Sequence, residues 1–166
     1  MSITAADIIE LMKARRLRLV TVESCTGGMV FSELTSVSGA SAVLDRGFIT
    51  YSNQAKQEMV GVSPETLLHY GAVSEQTAAE MASGGLAAGG QADIAISITG
   101  IAGPDGGSME KPVGLVYIGR AIRAGNSAEA VRTDIFRHQF AGDRQAIRQA
   151  AMIAAFGHIQ QYGDSI

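Results

Sequence analysis

The sequence has a single cysteine, Cys25, no tryptophan and three histidines. One cysteine cannot close an internal disulfide, and with the scattered histidines it offers none of the spacings of a zinc or iron site. No metal or other cofactor is therefore expected. Aromatic residues are only 5% of the chain, too few for a stacking platform along a single nucleic-acid strand. A formal net charge of −3 argues against the broad basic footprint that duplex nucleic acid requires. Any bound anion should be small and locally held. Long apolar runs are also missing, since glycine or polar residues interrupt every stretch well short of the roughly 20 residues that span a bilayer. The first sixteen residues place acidic side chains before basic ones and lack the apolar core of a secretory signal. The expectation is a cytoplasmic protein without membrane association.

What is present fits one globular unit covering residues 1–166, long enough to enclose a hydrophobic core. Helix and strand patterns alternate without an intervening linker or internal repeat. Thr4 and Asp7 make a capping-box pattern ahead of Ile8, Leu11 and Met12, which predicts a helix over 4–15. Strand patterns follow at 18–23 and 42–51, the second with Gly47 as a candidate bulge. A short helix is expected over 53–60, another from Ser63-Pro64, and a third from Ser74 to about 88 with Ala78, Met81, Ala82 and Leu86 on one face. A strand at 93–99 and two more at 113–122 and 128–137, joined by RAGNS as a hairpin, complete the sheet. A last helix runs from about Asp143 into the 150s and is apolar around much of its circumference, as suits deep packing or a dimer interface. The predicted fold class is α/β: a three-layer α/β/α domain with a mixed sheet.

Four clusters carry chemistry. Glu23-Ser24-Cys25-Thr26-Gly27-Gly28 turns a strand into a helix, where free backbone N–H groups suit an oxyanion or a phosphate. Ser24 or Thr26 as a simple helix cap is the plain alternative, and Cys25 reads more readily as a small buried residue than as a nucleophile. Tyr51-Ser52-Asn53-Gln54-Ala55-Lys56 follows the second strand. Lys56 is one of only three lysines; as a solvated helix residue it would be inert, whereas desolvated it could act as a base. Thr99-Gly100-Ile101-Ala102-Gly103-Pro104-Asp105-Gly106-Gly107 could form an anion-binding concavity or a mere flexible connection. It matches neither a Walker A loop nor a dinucleotide fingerprint. Arg144, with Arg148 one turn later on the same face, opens the last helix and suits a phosphate or carboxylate unless it pairs with a surface acid.

Together these motifs resemble the CinA carboxy-terminal domain family, whose stand-alone members are nicotinamide-nucleotide amidases. The resemblance rests on ESCTGG at 23–28, TYSNQAK at 50–56, GVS at 61–63, GAVSEQTAAEMA at 71–82, ISITGIAGPDGG at 96–107, KPVGLVYI at 111–118 and FAGDRQAIRQAA at 140–151. It implies hydrolysis of nicotinamide mononucleotide to nicotinic acid mononucleotide and ammonia by a metal-free cytosolic protein, often a homo-oligomer. By that resemblance Ser24 is the nucleophile and Lys56 its base, with Tyr51 beside them. Thr26, Gly27, Gly28, Asn53, Thr99, Gly100, Gly103 and Arg144 are then assigned to substrate binding. The expected partner is a small phosphorylated nucleotide. Long family members carry a further amino-terminal domain that is not expected here, so the resemblance does not imply that domain's activity.

Two other readings stand beside the amidase. One is a regulatory module that binds a nucleotide through the same loops without turning it over. The other is an oligomerising structural domain in which the clusters are only turns and caps.

Overall fold

A computed structural model of the chain describes residues 3–124 and 131–166. Its helices are α1 (Ala5–Arg15), α2 (Met29–Thr35), α3 (Asn53–Val60), α4 (Pro64–Tyr70), α5 (Glu75–Ala88) and α6 (Arg144–Asp164). Its strands are β1 (Leu19–Glu23), β2 (Leu44–Ile49), β3 (Ile94–Gly100), β4 (Leu115–Arg123) and β5 (Val131–Gln139). The helix starts follow from side chains that satisfy the unpaired N–H groups of a first turn. Thr4 and Asp7 form the expected reciprocal box, Ser52, Ser63, Ser74 and Asp143 cap α3, α4, α5 and α6, and Pro64 occupies the first turn of α4.

The strands form one mixed sheet in the order β2-β1-β3-β4-β5. β1 runs parallel to both β2 and β3, while β4 is antiparallel to β3 and to β5. Alternation along the strands separates two cores. Leu19, Ile94, Ile96, Ile98, Val116 and Ile118 face α1, α2 and α6, whereas Val20, Val22, Ala95 and Ala121 face α5. The result is the expected three-layer α/β/α arrangement. The α5 face is built from small residues so that the helix can sit close: a Cβ on Gly119 would lie 2.5 Å from the Ala78 carbonyl oxygen, and one on Gly85 would lie 2.3 Å from Val22.

β2 and β3 flank β1 on opposite sides, and their connections pass over opposite faces of the sheet, α2 on one and α3 to α5 on the other. The carboxyl ends of three parallel strands therefore open onto one crevice at this switch point, where ligands of α/β sheets bind.

Some expectations are corrected. The second strand is shorter than 42–51, because Ala40–Ala42 form a 3₁₀ turn after Gly39 and the chain leaves the sheet at Thr50. The register irregularity lies between Leu19 and Val20, opposite the step from Leu44 to Arg46, so Gly47 is not the bulge. Gly47 instead makes room for the Phe31 ring, 2.9 Å from where its Cβ would be. α6 continues to Asp164 through two glycines, since Gly163 lies directly against Leu11 of α1. The hairpin pairs Arg123 with Val131 as expected; residues 125–130, which include part of RAGNS and the start of the predicted fifth strand, lie outside the described residues.

Candidate active site

The turn after β1 is held by its own acid. Glu23, the last residue of β1, is 1% exposed. Its carboxylate accepts from the Thr26 hydroxyl at 2.7 Å and from the N–H groups of Gly28, Val30 and Phe31 at 2.9–3.1 Å. It thus occupies the amino terminus of α2, where the unpaired N–H groups and the helix dipole favour an anion. The expectation that the donors of Thr26 to Gly28 face a ligand is corrected accordingly. The Gly28 N–H is engaged by Glu23 and the Gly27 N–H by the Ser24 carbonyl at 3.0 Å. For the Thr26 N–H the described residues supply no acceptor.

Ser24 does not cap this helix. Its N–H donates to the Ile98 carbonyl at 2.9 Å, which ties the turn to β3, and its hydroxyl meets Lys56. Lys56, on α3, is 1% exposed, so the solvated reading of this residue is wrong. Its amine lies 3.1 Å from Ser24 Oγ, 2.8 Å from the Thr50 carbonyl oxygen and 3.3 Å from that of Tyr51. Burial, with no paired carboxylate among the described residues, disfavours the charged form and pushes its pKa down to about 8, with the neighbouring Cys25 thiol pulling the other way. Cys25 is buried and its thiol is pushed up to about 11, chiefly by desolvation. A thiol so protonated is a poor nucleophile near neutral pH.

Ser24 and Lys56 open into a cavity of about 310 Å³ whose wall includes Cys25, Tyr51, Thr99, Gly100, Gly103 and Arg144. That volume lies at the lower end of the roughly 300–1,000 Å³ typical of small-molecule sites. Arg144 bridges its mouth, donating to the Gly103 carbonyl at 2.8 Å and to the Tyr51 hydroxyl at 3.3 Å. Asp143 is the cap of α6, and among the described residues no carboxylate forms the surface pair weighed for Arg144. Thr99 gives its hydroxyl to the Ala72 carbonyl at 2.6 Å, which fixes the entry to α5 beside the cavity.

Comparison with known proteins follows the same lines. The family model described as "CinA C-terminal domain" matches residues 2–162. The chain belongs to the CinA C-terminal domain family. It is 50% identical over 149 residues to the nicotinamide-nucleotide amidohydrolase PncC of Enterobacter agglomerans, covering 90% of this chain and 87% of that protein. It is 48% identical over 152 residues to the PncC of Escherichia coli K12, covering 92% and 88%. Among solved structures, the competence/damage inducible protein CihA of Agrobacterium tumefaciens superposes with a TM-score of 0.87 at 41% identity, covering 97% of this chain and 98% of that one.

Within this CinA-family fold the four clusters read from sequence converge, but not every residue in them reaches the cavity. Ser24, Lys56, Tyr51, Thr99, Gly100, Gly103 and Arg144 do. Thr26, Gly27 and Gly28 lie behind the Ser24 turn, and Asn53 is exposed in the first turn of α3, its carbonyl accepting from Gln57 at 3.3 Å. Gly100 is required by the sheet as well as by the cavity, because a Cβ there would meet the Leu115 carbonyl oxygen at 2.9 Å. Ala72, Val73 and Asp105 also line the cavity and were not singled out from sequence. Alanine and valine carry no chemical signature. Asp105 stood in the glycine-rich motif, the only signal available for it.

Proposed function

We propose that this chain hydrolyses the carboxamide of nicotinamide mononucleotide to give nicotinic acid mononucleotide and ammonia. The observation that carries the reading is the buried Lys56 amine within hydrogen-bond reach of the Ser24 hydroxyl in a cavity of ligand size. The names of the PncC relatives, at about half identity along nearly the whole chain, supply the substrate class.

A neutral Lys56 has two N–H bonds and one lone pair. The carbonyls of Thr50 and Tyr51 take the two N–H bonds, and the lone pair then accepts the Ser24 proton. The Ser24 oxygen attacks the carboxamide carbon, and the tetrahedral oxyanion needs a fixed donor. Among the described residues the N–H groups of Cys25 and Thr26 are the two of the turn without a backbone acceptor, and because Cys25 lines the cavity its N–H is the one suited to that purpose. Collapse breaks the C–N bond, and the Lys56 ammonium returns its proton to the departing nitrogen as ammonia leaves. Water, deprotonated by Lys56, then attacks the serine ester, and the Lys56 ammonium returns that proton to the Ser24 oxygen as the acid is released. Arg144 and the glycine loop line the same cavity without touching the Lys56 amine, and they suit the phosphate, whose binding holds the amide in register.

The test is ammonia release by the purified protein from nicotinamide mononucleotide, with nicotinamide riboside as the phosphate-free comparison. Turnover of the nucleotide with a clearly lower KM than the riboside is expected. Saturable nucleotide binding without ammonia would replace the enzyme with a binding module.

A further inference from the structure

Arg148 lies one turn beyond Arg144 on α6, yet it does not line the cavity. Its Nε donates to the Cys25 carbonyl at 3.1 Å and one Nη to the Thr26 carbonyl at 3.0 Å, while the other Nη reaches Gln145 at 3.1 Å. Among the described residues no carboxylate pairs with it. Its charge is directed instead at two successive carbonyls of the turn that presents Ser24.

Those carbonyls need it to different degrees. The Ser24 carbonyl already accepts from Gly27, and the Thr26 carbonyl also accepts from Met29 at 3.1 Å. For the Cys25 carbonyl the described residues supply no other donor. A buried carbonyl without a partner costs free energy and would drive the turn to rearrange. Glu23 performs the complementary task on the donors of the same turn. An anion thus holds the N–H groups and a cation holds the carbonyls, and the Ser24 hydroxyl is left to Lys56. Because Arg144 ties the glycine loop to the same helix, the first turns of α6 fix the distance between the glycine loop and the nucleophile turn.

We propose that Arg148 is a positioning residue for Ser24: by fastening the Cys25 and Thr26 carbonyls to α6 it keeps the Ser24 hydroxyl aligned with Lys56 and with the substrate carbon. The proposal rests on the amidase reading for its substrate, but not for its geometry. Misplacement by about 1 Å costs on the order of 10²-fold in rate, so Arg148→Ala is expected to lower kcat by about that factor. KM should change by less than about threefold, because uniform binding is not removed. Arg148→Lys replaces a rigid fork by a point charge and recovers only part of the loss. Millimolar guanidinium ion, added to Arg148→Ala, should restore part of kcat, a rescue that a merely structural defect would not show.

A fluorophosphonate that labels activated serines gives a second readout without a nucleotide. Ser24 in Arg148→Ala should label more slowly by a factor similar to the kcat loss. If the wild-type chain labels at Ser24 but releases no ammonia, the amidase reading fails, and the slower labelling of Arg148→Ala still supports positioning. Unchanged kcat and labelling in a folded Arg148→Ala protein, a loss confined to KM, or a wild-type Ser24 that does not label overturns the proposal. Should circular dichroism show Arg148→Ala unfolded, Arg148→Lys and Arg148→Gln carry the same comparison.

Discussion

The Lys56 amine stands 3.1 Å from the Ser24 hydroxyl across 32 residues of sequence, and its other two contacts are neutral carbonyls. The pairing exists because parallel β1 and β2 end on one rim, so the residue after β1 and the first turn of the helix after β2 face each other. Burial, with no carboxylate among the described residues to hold its charge, pushes the pKa of the amine from 10.5 down to about 8. If deprotonated Lys56 is the base, kcat/KM for the nucleotide rises with pH and levels off above about 8. A profile flat from pH 6 to 9 would remove Lys56 from that role. The same shift acts on stability: between about 8 and 10.5 the unfolded chain binds the proton that the folded chain has lost, so this residue's contribution to stability increases with pH across that window.

Substitution separates the three reactive side chains of the turn and its partner. Ser24→Ala should lower turnover by about 10³-fold or more with folding intact, as removal of a nucleophile does. Lys56→Ala should cost about 10²–10⁴-fold, the usual range for a general base, and Lys56→Arg should not recover it because a guanidinium stays protonated. Cys25→Ala should remain near wild type, since its thiol is held protonated. An inactive, folded Cys25→Ala protein would move the nucleophile to the thiol, and substantial turnover by Ser24→Ala would leave a directly activated water.

Much of this was legible in the chain, and the reasons differ by residue. Caps and breakers act over three or four residues, so Thr4, Ser63, Pro64 and Ser74 located the helix starts from local pattern alone. Alternation gave the strands, and their order along the chain gave a shared rim for Ser24, Tyr51, Lys56 and Thr99. Burial of Lys56 was not legible, because it depends on α3 folding back over the end of β1, and a lysine in a polar segment reads as solvated. The use of the turn's N–H groups by Glu23 was hidden for a related reason. A glutamate ending a strand gives no sign that its carboxylate turns back to the helix it precedes. The reach of Arg148 to carbonyls 123 and 122 residues away is likewise a tertiary fact, though its spacing from Arg144 placed both on one face.

Arg144 bridges the glycine loop and Tyr51 at the cavity mouth and touches neither Ser24 nor Lys56. Arg144→Ala should therefore act mainly through KM for the phosphorylated substrate, with a smaller fall in kcat. The difference in KM between nicotinamide mononucleotide and nicotinamide riboside should shrink in the variant. An unchanged difference would place the phosphate elsewhere.

Close approach of α3 to α5 is set by Gly84, where a Cβ would lie 1.7 Å from the Val60 carbonyl oxygen. That carbonyl ends the helix that carries Lys56, and backbone cannot rotate away as a side chain can. Gly84→Ala should destabilise by about 1–3 kcal/mol, the usual cost of overpacking, and should lower kcat as well by shifting α3. Urea unfolding and ammonia release together check both effects. Wild-type stability in Gly84→Ala would show that the two helices separate without strain.

The last expected outcome concerns a pair of histidines away from the cavity, between β5 and α6. His138 Nε2 and His158 Nε2 are 2.9 Å apart, and His158 stacks on Phe136 at 3.6 Å between ring centroids. Arg120 lies beside them, donating to the His158 carbonyl at 2.6 Å and to Asp134 at 2.8 Å. Burial pushes the pKa of His158 down to about 4, with the charges of His138 and Arg120 adding to the shift and Gln161 opposing it; burial also lowers His138. Between about 4 and 6.5 the unfolded chain therefore binds protons that the folded chain does not, so stability falls as pH drops through that window and this loss is complete below about 4. Carboxylates contribute their own slope at the acid end, so the comparison is with His158→Gln rather than with neutral pH alone. Thermal unfolding should show a steeper fall in Tm from pH 6.5 to 4 in the wild type than in His158→Gln, whatever the absolute stability of the variant. Equal slopes would mean that the folded protein accepts the proton as readily as the unfolded chain does.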